Sequence, residues 1–226
     1  MIPWVQLDTA SVPGDGAPLR LMRRGTEFSI MSGAFELMNN RLSGSEEALA
    51  RLACERVGAR TAPRLLIGGL GMGFTLRAAL ADLGPTAEVV VAELIPAVVA
   101  WARGPLAEVF AGCLDDPRVR VREGDVGAMI RAGQGAYDAI LLDVDNGPHG
   151  LSRAENNSLY SLAGLAAAQR ALKPGGVLLV WSSAPDERFT QRLRKAGYSV
   201  EEIRVRASRT GKGARHLVWV ATRPAG

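Results

Sequence analysis

From Leu65 to Gly73 the chain reads Leu-Leu-Ile-Gly-Gly-Leu-Gly-Met-Gly, and Glu93 closes a second apolar run, Val89-Val90-Val91-Ala92, twenty residues after Gly73. An apolar strand that breaks into glycines and then opens a helix lets the backbone approach a ligand closely. An acid at the tip of the next strand can accept hydrogen bonds from ribose hydroxyls. The pattern predicts a nucleoside-cofactor site on Gly68, Gly69, Gly71, Gly73 and Glu93. Dinucleotide folds favour G-x-G-x-x-G, whereas Gly69, Gly71 and Gly73 run G-x-G-x-G, a form that suits S-adenosylmethionine better than NAD.

Two further acids stand where such a site needs them. Asp125 follows Val119-Arg120-Val121-Arg122-Glu123-Gly124 and begins a helical stretch. It can cap that helix, and it can also accept from an exocyclic adenine amine while the N–H of Val126 faces a ring nitrogen. Asp143 ends Tyr137-Asp138-Ala139-Ile140-Leu141-Leu142 and opens the polar loop Val144-Asp145-Asn146-Gly147-Pro148-His149. A carboxylate here could hold the amino group of the cofactor's methionine part, orient an acceptor or take its proton, so Asp143 and Asp145 are the catalytic candidates. Asp145 and Asn146 could ligate a divalent cation with Asp143. The next loop, Trp181-Ser182-Ser183-Ala184-Pro185, offers no further ligand before Asp186, so no metal is expected. His149 reads equally as a base or as a solvated loop histidine.

The elements that must position these residues follow from periodicity. Strands are predicted near 64–68, 87–93, 117–122, 137–143 and 175–182, alternating with helices near 73–83, 96–112, 125–133 and 158–172. That order implies parallel pairing through right-handed crossovers, and hence a Rossmann-like three-layer α/β sandwich. A helix near 186–196 then precedes strands about 198–206 and 214–222, an antiparallel terminal pair. Residues 1–44 alternate apolar and polar positions between turns and read as a small β-rich element ahead of a cofactor-binding domain over 45–226. Ser45 is the expected cap of a helix running through Leu49, Leu52 and Val57.

Composition sets the outer limits. With 226 residues, 47% of them hydrophobic, the chain can bury a substantial core. No stretch has the roughly eighteen uninterrupted apolar residues of a membrane span, and Met1-Ile2-Pro3-Trp4 does not open a leader, so a cytoplasmic protein with no membrane partner is expected. Cys54 and Cys113 lie far apart without zinc-ligand spacing. The formal net charge is +4, and no acid occurs from Arg204 to Gly226. Such a basic ending could steer an anionic acceptor or RNA, but no interleaved aromatic residues are there to stack bases. A solvated hairpin and a small-molecule acceptor are therefore expected.

Taken as a set, Leu66 to Gly73, Ala92-Glu93-Leu94, Asp116-Pro117-Arg118-Val119 with Gly124-Asp125, Tyr137 to Asp143, and Leu172-Lys173-Pro174-Gly175-Gly176-Val177-Leu178 resemble the spermidine synthase family. That family is a branch of the class I S-adenosylmethionine-dependent methyltransferase fold. The resemblance covers roughly residues 45–200 and implies a seven-stranded, mostly parallel sheet, a nucleoside on Glu93 and Asp125, and a homodimer. The departures point elsewhere. Polyamine synthases carry Gly-Gly-Gly-Asp-Gly-Gly in the first motif, where the aspartate holds the aminopropyl ammonium of decarboxylated S-adenosylmethionine, and Gly71 stands at that place here. Ile95 replaces a second acid, Asp143-Val144-Asp145-Asn146-Gly147 replaces Asp-Ser-Ser-Asp-Pro, and Ser45-Glu46-Glu47 replaces a Tyr-His-Glu segment. Losing the turn acid removes both an anchor for the decarboxylated cofactor and a repulsion against the ordinary one. The expected activity is therefore methyl transfer from ordinary S-adenosylmethionine. Aminopropyl transfer from the decarboxylated form, with Asp143 or Asp145 as base, is the alternative, and a non-catalytic nucleoside-binding protein is a third reading.

Overall fold

The computed structural model describes residues 2–13, 17–58, 60–144, 158–208 and 213–225. Four short strands come first: β1 (Val5–Ala10), β2 (Leu19–Arg24), β3 (Glu27–Ser32) and β4 (Phe35–Asn39), an antiparallel sheet in that order. Alternation decides which side packs. Leu21 lies opposite Ile30, and both are fully buried, while Leu19 and Phe28 on the same strands are also buried.

The second sheet has seven strands in the order β10-β11-β9-β8-β5-β6-β7. Its centre is β5 (Arg64–Gly68), flanked by β6 (Glu88–Glu93) and β8 (Tyr137–Leu142), with β7 (Val119–Glu123) and β9 (Leu172–Ser182) beyond them, all parallel. β10 (Ser199–Arg206) and β11 (Arg215–Thr222) run antiparallel to each other, and β11 runs antiparallel to β9. Strands covered on both faces read as continuous apolar runs, which is why Tyr137 to Leu142 has no exposed residue. Leu65, Ile67, Ala139 and Leu141 face one cluster, shared with α1 (Gly44–Val57), α2 (Phe74–Asp82), α3 (Pro96–Arg103) and the four-stranded sheet. Leu66, Ile140 and Leu142 face another, shared with α5 (Val126–Ala132), α6 (Leu162–Ala171) and α7 (Glu187–Lys195).

Three details differ from expectation. The helix predicted over 96–112 is broken into α3 and the short α4 (Ala107–Phe110), because Pro105 lacks an N–H and pushes Gly104 out of the helical region, to φ −110° and ψ −110°. β9 starts at Leu172, so Lys173-Pro174-Gly175-Gly176 lies within the strand, where the register with β8 shifts between Tyr137 and Ala139. The residue that flanks α1 is Ser43, and Ser45 points its hydroxyl elsewhere. No helix among the described residues is long and apolar enough to cross a membrane.

A buried acid fastens the far end of the sheet. Asp138 on β8, 2% exposed, pairs with Arg60 at 2.8 Å and Lys173 at 2.6 Å and accepts from the Arg64 amide at 2.8 Å. Burial alone would raise its carboxyl pKa, but Lys173, the Arg64 amide and Arg60 together hold it below the usual value. Asp138→Asn should cost about 1.5–3 kcal/mol at neutral pH, the range for a lost charge-assisted hydrogen bond, read as a lower midpoint in denaturant. The wild-type advantage is complete above the unfolded-state pKa of 3.8 and should vanish as pH falls through the depressed folded value.

Candidate active site

The carboxyl ends of β5, β6 and β8 come together around the glycine turn. Gly69 donates to the Ala92 carbonyl at 2.8 Å, Asp143 donates to the Gly68 carbonyl at 3.1 Å, and Gly124 donates to the Glu93 carbonyl at 2.8 Å. Gly69 sits at φ +91°, and a Cβ there would lie 2.5 Å from the Asp143 carbonyl oxygen. Only glycine lets the two backbones pass so closely. Gly71 has the Met38 sulfur of β4 at 3.3 Å from its would-be Cβ, so the four-stranded sheet reaches the turn. Gly73 flanks the start of α2 with the Phe110 ring against it.

Glu93 is 8% exposed, and its carboxylate organises the turn. One oxygen accepts from the Leu70 amide at 2.9 Å and the other from the Ile95 amide at 2.8 Å. Burial raises its pKa against the pull of these amides. Asp125 lies just beyond the rung that pairs Glu123 with Glu93, so the two acids flank one edge. It caps α5 through the amides of Gly127 (2.8 Å) and Ala128 (3.0 Å) and pairs with Arg131 at 3.1 Å. Val126 is buried against Gly68 and is, with Val144, what a Cβ on Gly68 would strike, at 3.0–3.1 Å. As the first residue of α5, it has an N–H without an intrahelical partner.

Asp143 stands on the other side of the turn. Its Oδ2 accepts from the Thr75 hydroxyl at 2.9 Å, and that hydroxyl lies 3.4 Å from the Glu46 carbonyl, which brings the start of α1 to the site. Although solvent reaches part of its surface, protein crowds the carboxyl. Burial first, and then the charge of Glu46, raise its pKa to about 7, with the Thr75 bond opposing. Glu46 is itself raised, chiefly by burial. Ser45 donates to Glu46 Oε2 at 2.7 Å and meets His216 Nδ1 at 2.9 Å. The serine has one proton, which goes to Glu46, so the imidazole must donate from Nδ1. Burial lowers the His216 pKa and favours the neutral ring this chain requires. Trp181, at the end of β9, packs edge-on against His216 with ring centroids 4.8 Å apart.

Gly68, Gly69, Gly71, Gly73, Glu93, Asp125, Val126 and Asp143 thus share one edge of the sheet. Asp145, Asn146 and His149 lie outside the described residues, and with them the question of a metal. Sequence reading passed over Thr75, His216 and Trp181, and it set Glu46 aside as part of a loosely matched segment. A signal for Trp181 existed: Leu142 pairs with Val180, so the next residues along, Asp143 and Trp181, fall on the same face. A cavity of about 820 Å³ is lined by α1, α2 and the end of β10, including Arg51, Arg77 and Arg206, and not by the glycine turn, Glu93 or Asp143. Its volume alone does not make it the site.

Comparison with known proteins bears on the chemistry. A family described as the spermine/spermidine synthase domain matches residues 49–204. The chain is 35% identical over 151 residues to a polyamine aminopropyltransferase of Mycobacterium tuberculosis, covering 62% of this chain and 28% of that protein. It is 32% identical over 149 residues to polyamine aminopropyltransferase 1 of Streptomyces coelicolor, covering 62% and 27%. The aligned region thus spans little more than a quarter of these relatives. Spermidine synthase from Thermotoga maritima superposes with a TM-score of 0.76 at 18% identity, covering 98% of this chain and 74% of that one, a likeness of fold. These relatives overturn the expectation of a methyltransferase using ordinary S-adenosylmethionine. The expectation rested on the acids of the glycine turn and its loop, a count that omits Glu46, which α1 brings close enough to Asp143 for its charge to raise the pKa there.

Proposed function

Because the chain belongs to the spermine/spermidine synthase family, we propose that it is a transferase moving an aminopropyl group from decarboxylated S-adenosylmethionine to an amine acceptor. The observation that carries this reading is the placement of Asp143: its backbone passes against Gly69 at the glycine turn, Thr75 holds its carboxyl at 2.9 Å, and Glu46 lies close enough to raise its pKa. Among the described residues no lysine or arginine pairs with it or with Glu46. An uncompensated acidic pocket suits a cationic substrate and opposes an anionic one.

The residues fit such a cofactor. The glycine turn would lie against the adenosine part, Glu93 can accept from its ribose hydroxyls, and Asp125 with the Val126 N–H can take the adenine edge. When bound, the cofactor supplies a carbon already activated by its sulfonium. The chain's work is then alignment and the handling of one proton, since an attacking amine must be neutral. Asp143, half-ionised near neutrality, can accept that proton, while Thr75 fixes the carboxyl through Oδ2.

Incubating the protein with decarboxylated S-adenosylmethionine and a panel of diamines and polyamines should release methylthioadenosine in an amine-dependent way. S-adenosylhomocysteine formed from the ordinary cofactor, with no methylthioadenosine from the decarboxylated one, would overturn the proposal.

A further inference from the structure

The glycine turn, Gly69-Leu70-Gly71-Met72-Gly73, carries no charge of its own. If the turn holds a nucleoside whose tail ends in an ammonium, as the proposed function requires, the counter-charge must come from another element. We propose that Glu46, carried on α1, joins Asp143 to form the ammonium-binding pair of the cofactor site and so selects the decarboxylated tail over one that bears a carboxylate.

The geometry supports this in three independent ways. First, Thr75, two residues past the turn, holds Asp143 Oδ2 at 2.9 Å and touches the Glu46 carbonyl at 3.4 Å, so one hydroxyl locks the two acids' elements together beside the turn. Second, Glu46 is aimed by a relay of its own: His216 on β11 donates to Ser45, and Ser45 donates to Glu46 Oε2. Third, Trp181 leans on His216 in the same cluster. It is 9% exposed, and its indole N–H has no partner among the described residues. Two acids without a cation and a buried donor without an acceptor mark an assembly whose hydrogen bonding is completed by something other than the protein. Burial of the Asp143 carboxyl first, and then its repulsion by Glu46, are the standing cost that a bound ammonium relieves.

Calorimetry on Glu46→Gln tests the assignment, because the change removes charge and keeps shape. Affinity for decarboxylated S-adenosylmethionine should fall by roughly tenfold or more. Affinity for methylthioadenosine, which lacks the ammonium, should stay as in the wild type, and the preference over ordinary S-adenosylmethionine should narrow. Adding Gly71→Asp to Glu46→Gln should recover affinity for the decarboxylated form, since Asp tolerates the left-handed backbone at φ +53° and the Met38 sulfur that faces it belongs to a flexible side chain. Equal losses for both nucleosides, or no loss for either, would overturn the role of Glu46. A wild-type protein that binds methylthioadenosine but not decarboxylated S-adenosylmethionine would instead overturn the proposed function on which this inference rests.

Discussion

Asp143→Asn should lower kcat/KM for an amine acceptor by about 10²–10⁴-fold, the range for removal of a positioned proton acceptor. Both functions open to Asp143, accepting the proton of the attacking amine and balancing an ammonium, require its ionised form. Wild-type activity should therefore rise with pH through about 7, and the variant should lose that limb of the profile. Stability should move the other way. A carboxyl whose folded pKa is raised contributes stability that is complete below its unfolded value of 3.8 and lost as pH climbs through about 7. At pH 8 the wild type buries a charge next to Glu46 that the amide does not carry, so Asp143→Asn should melt at a higher temperature there. A variant that is slower and less stable at pH 8 would show that Asp143 is structural.

Gly69→Ala should be the most damaging change in the turn. The new methyl group would lie 2.5 Å from the Asp143 carbonyl oxygen, a backbone atom in a central strand connection, at a φ of +91° that side chains rarely adopt. Neither side can yield by rotating a side chain, so the ends of β5 and β8 must separate. That displacement moves Asp143 relative to Glu93, and a shift of about 1 Å is enough to cost about a hundredfold in rate. Titration with methylthioadenosine, together with thermal melting, should show weaker binding and a lower melting temperature. Gly84→Ala makes the control: its would-be Cβ has nothing within 4 Å and its φ is ordinary, so it should be near neutral. Wild-type binding by Gly69→Ala would mean that the close approach at the turn does not shape the site.

Much of this architecture was legible because parallel strands and their crossovers write a strong periodic signal. The runs at Leu65 to Gly68, Val89 to Glu93 and Tyr137 to Leu142 became β5, β6 and β8, and their carboxyl ends carry Gly69, Glu93 and Asp143. The break at Gly104-Pro105 was also written in the chain, since proline forbids the helix that apolar spacing suggests. The reading of Ser45 failed for another reason. A serine before a helical pattern has a local use as a cap, but here His216, remote in sequence, competes for the hydroxyl, and Ser43 flanks the helix instead. Glu46 was illegible on the same grounds: nothing near residue 46 announces Asp143. Charge counted along the chain favoured ordinary S-adenosylmethionine, whereas charge counted through space adds Glu46 beside Asp143.

The bond between His216 and Ser45 spans 171 positions in the chain. Closing a loop of that length carries an entropic cost that grows slowly with size but must be met before the contact rewards it. The strand bearing His216 reaches β9 across fewer positions than β5 spans to reach β8, so of these closures the one from His216 to Ser45 is the longest. Refolding should therefore restore the nucleotide cradle ahead of the acid that reads the tail, and the return of ligand discrimination would time the last event of assembly.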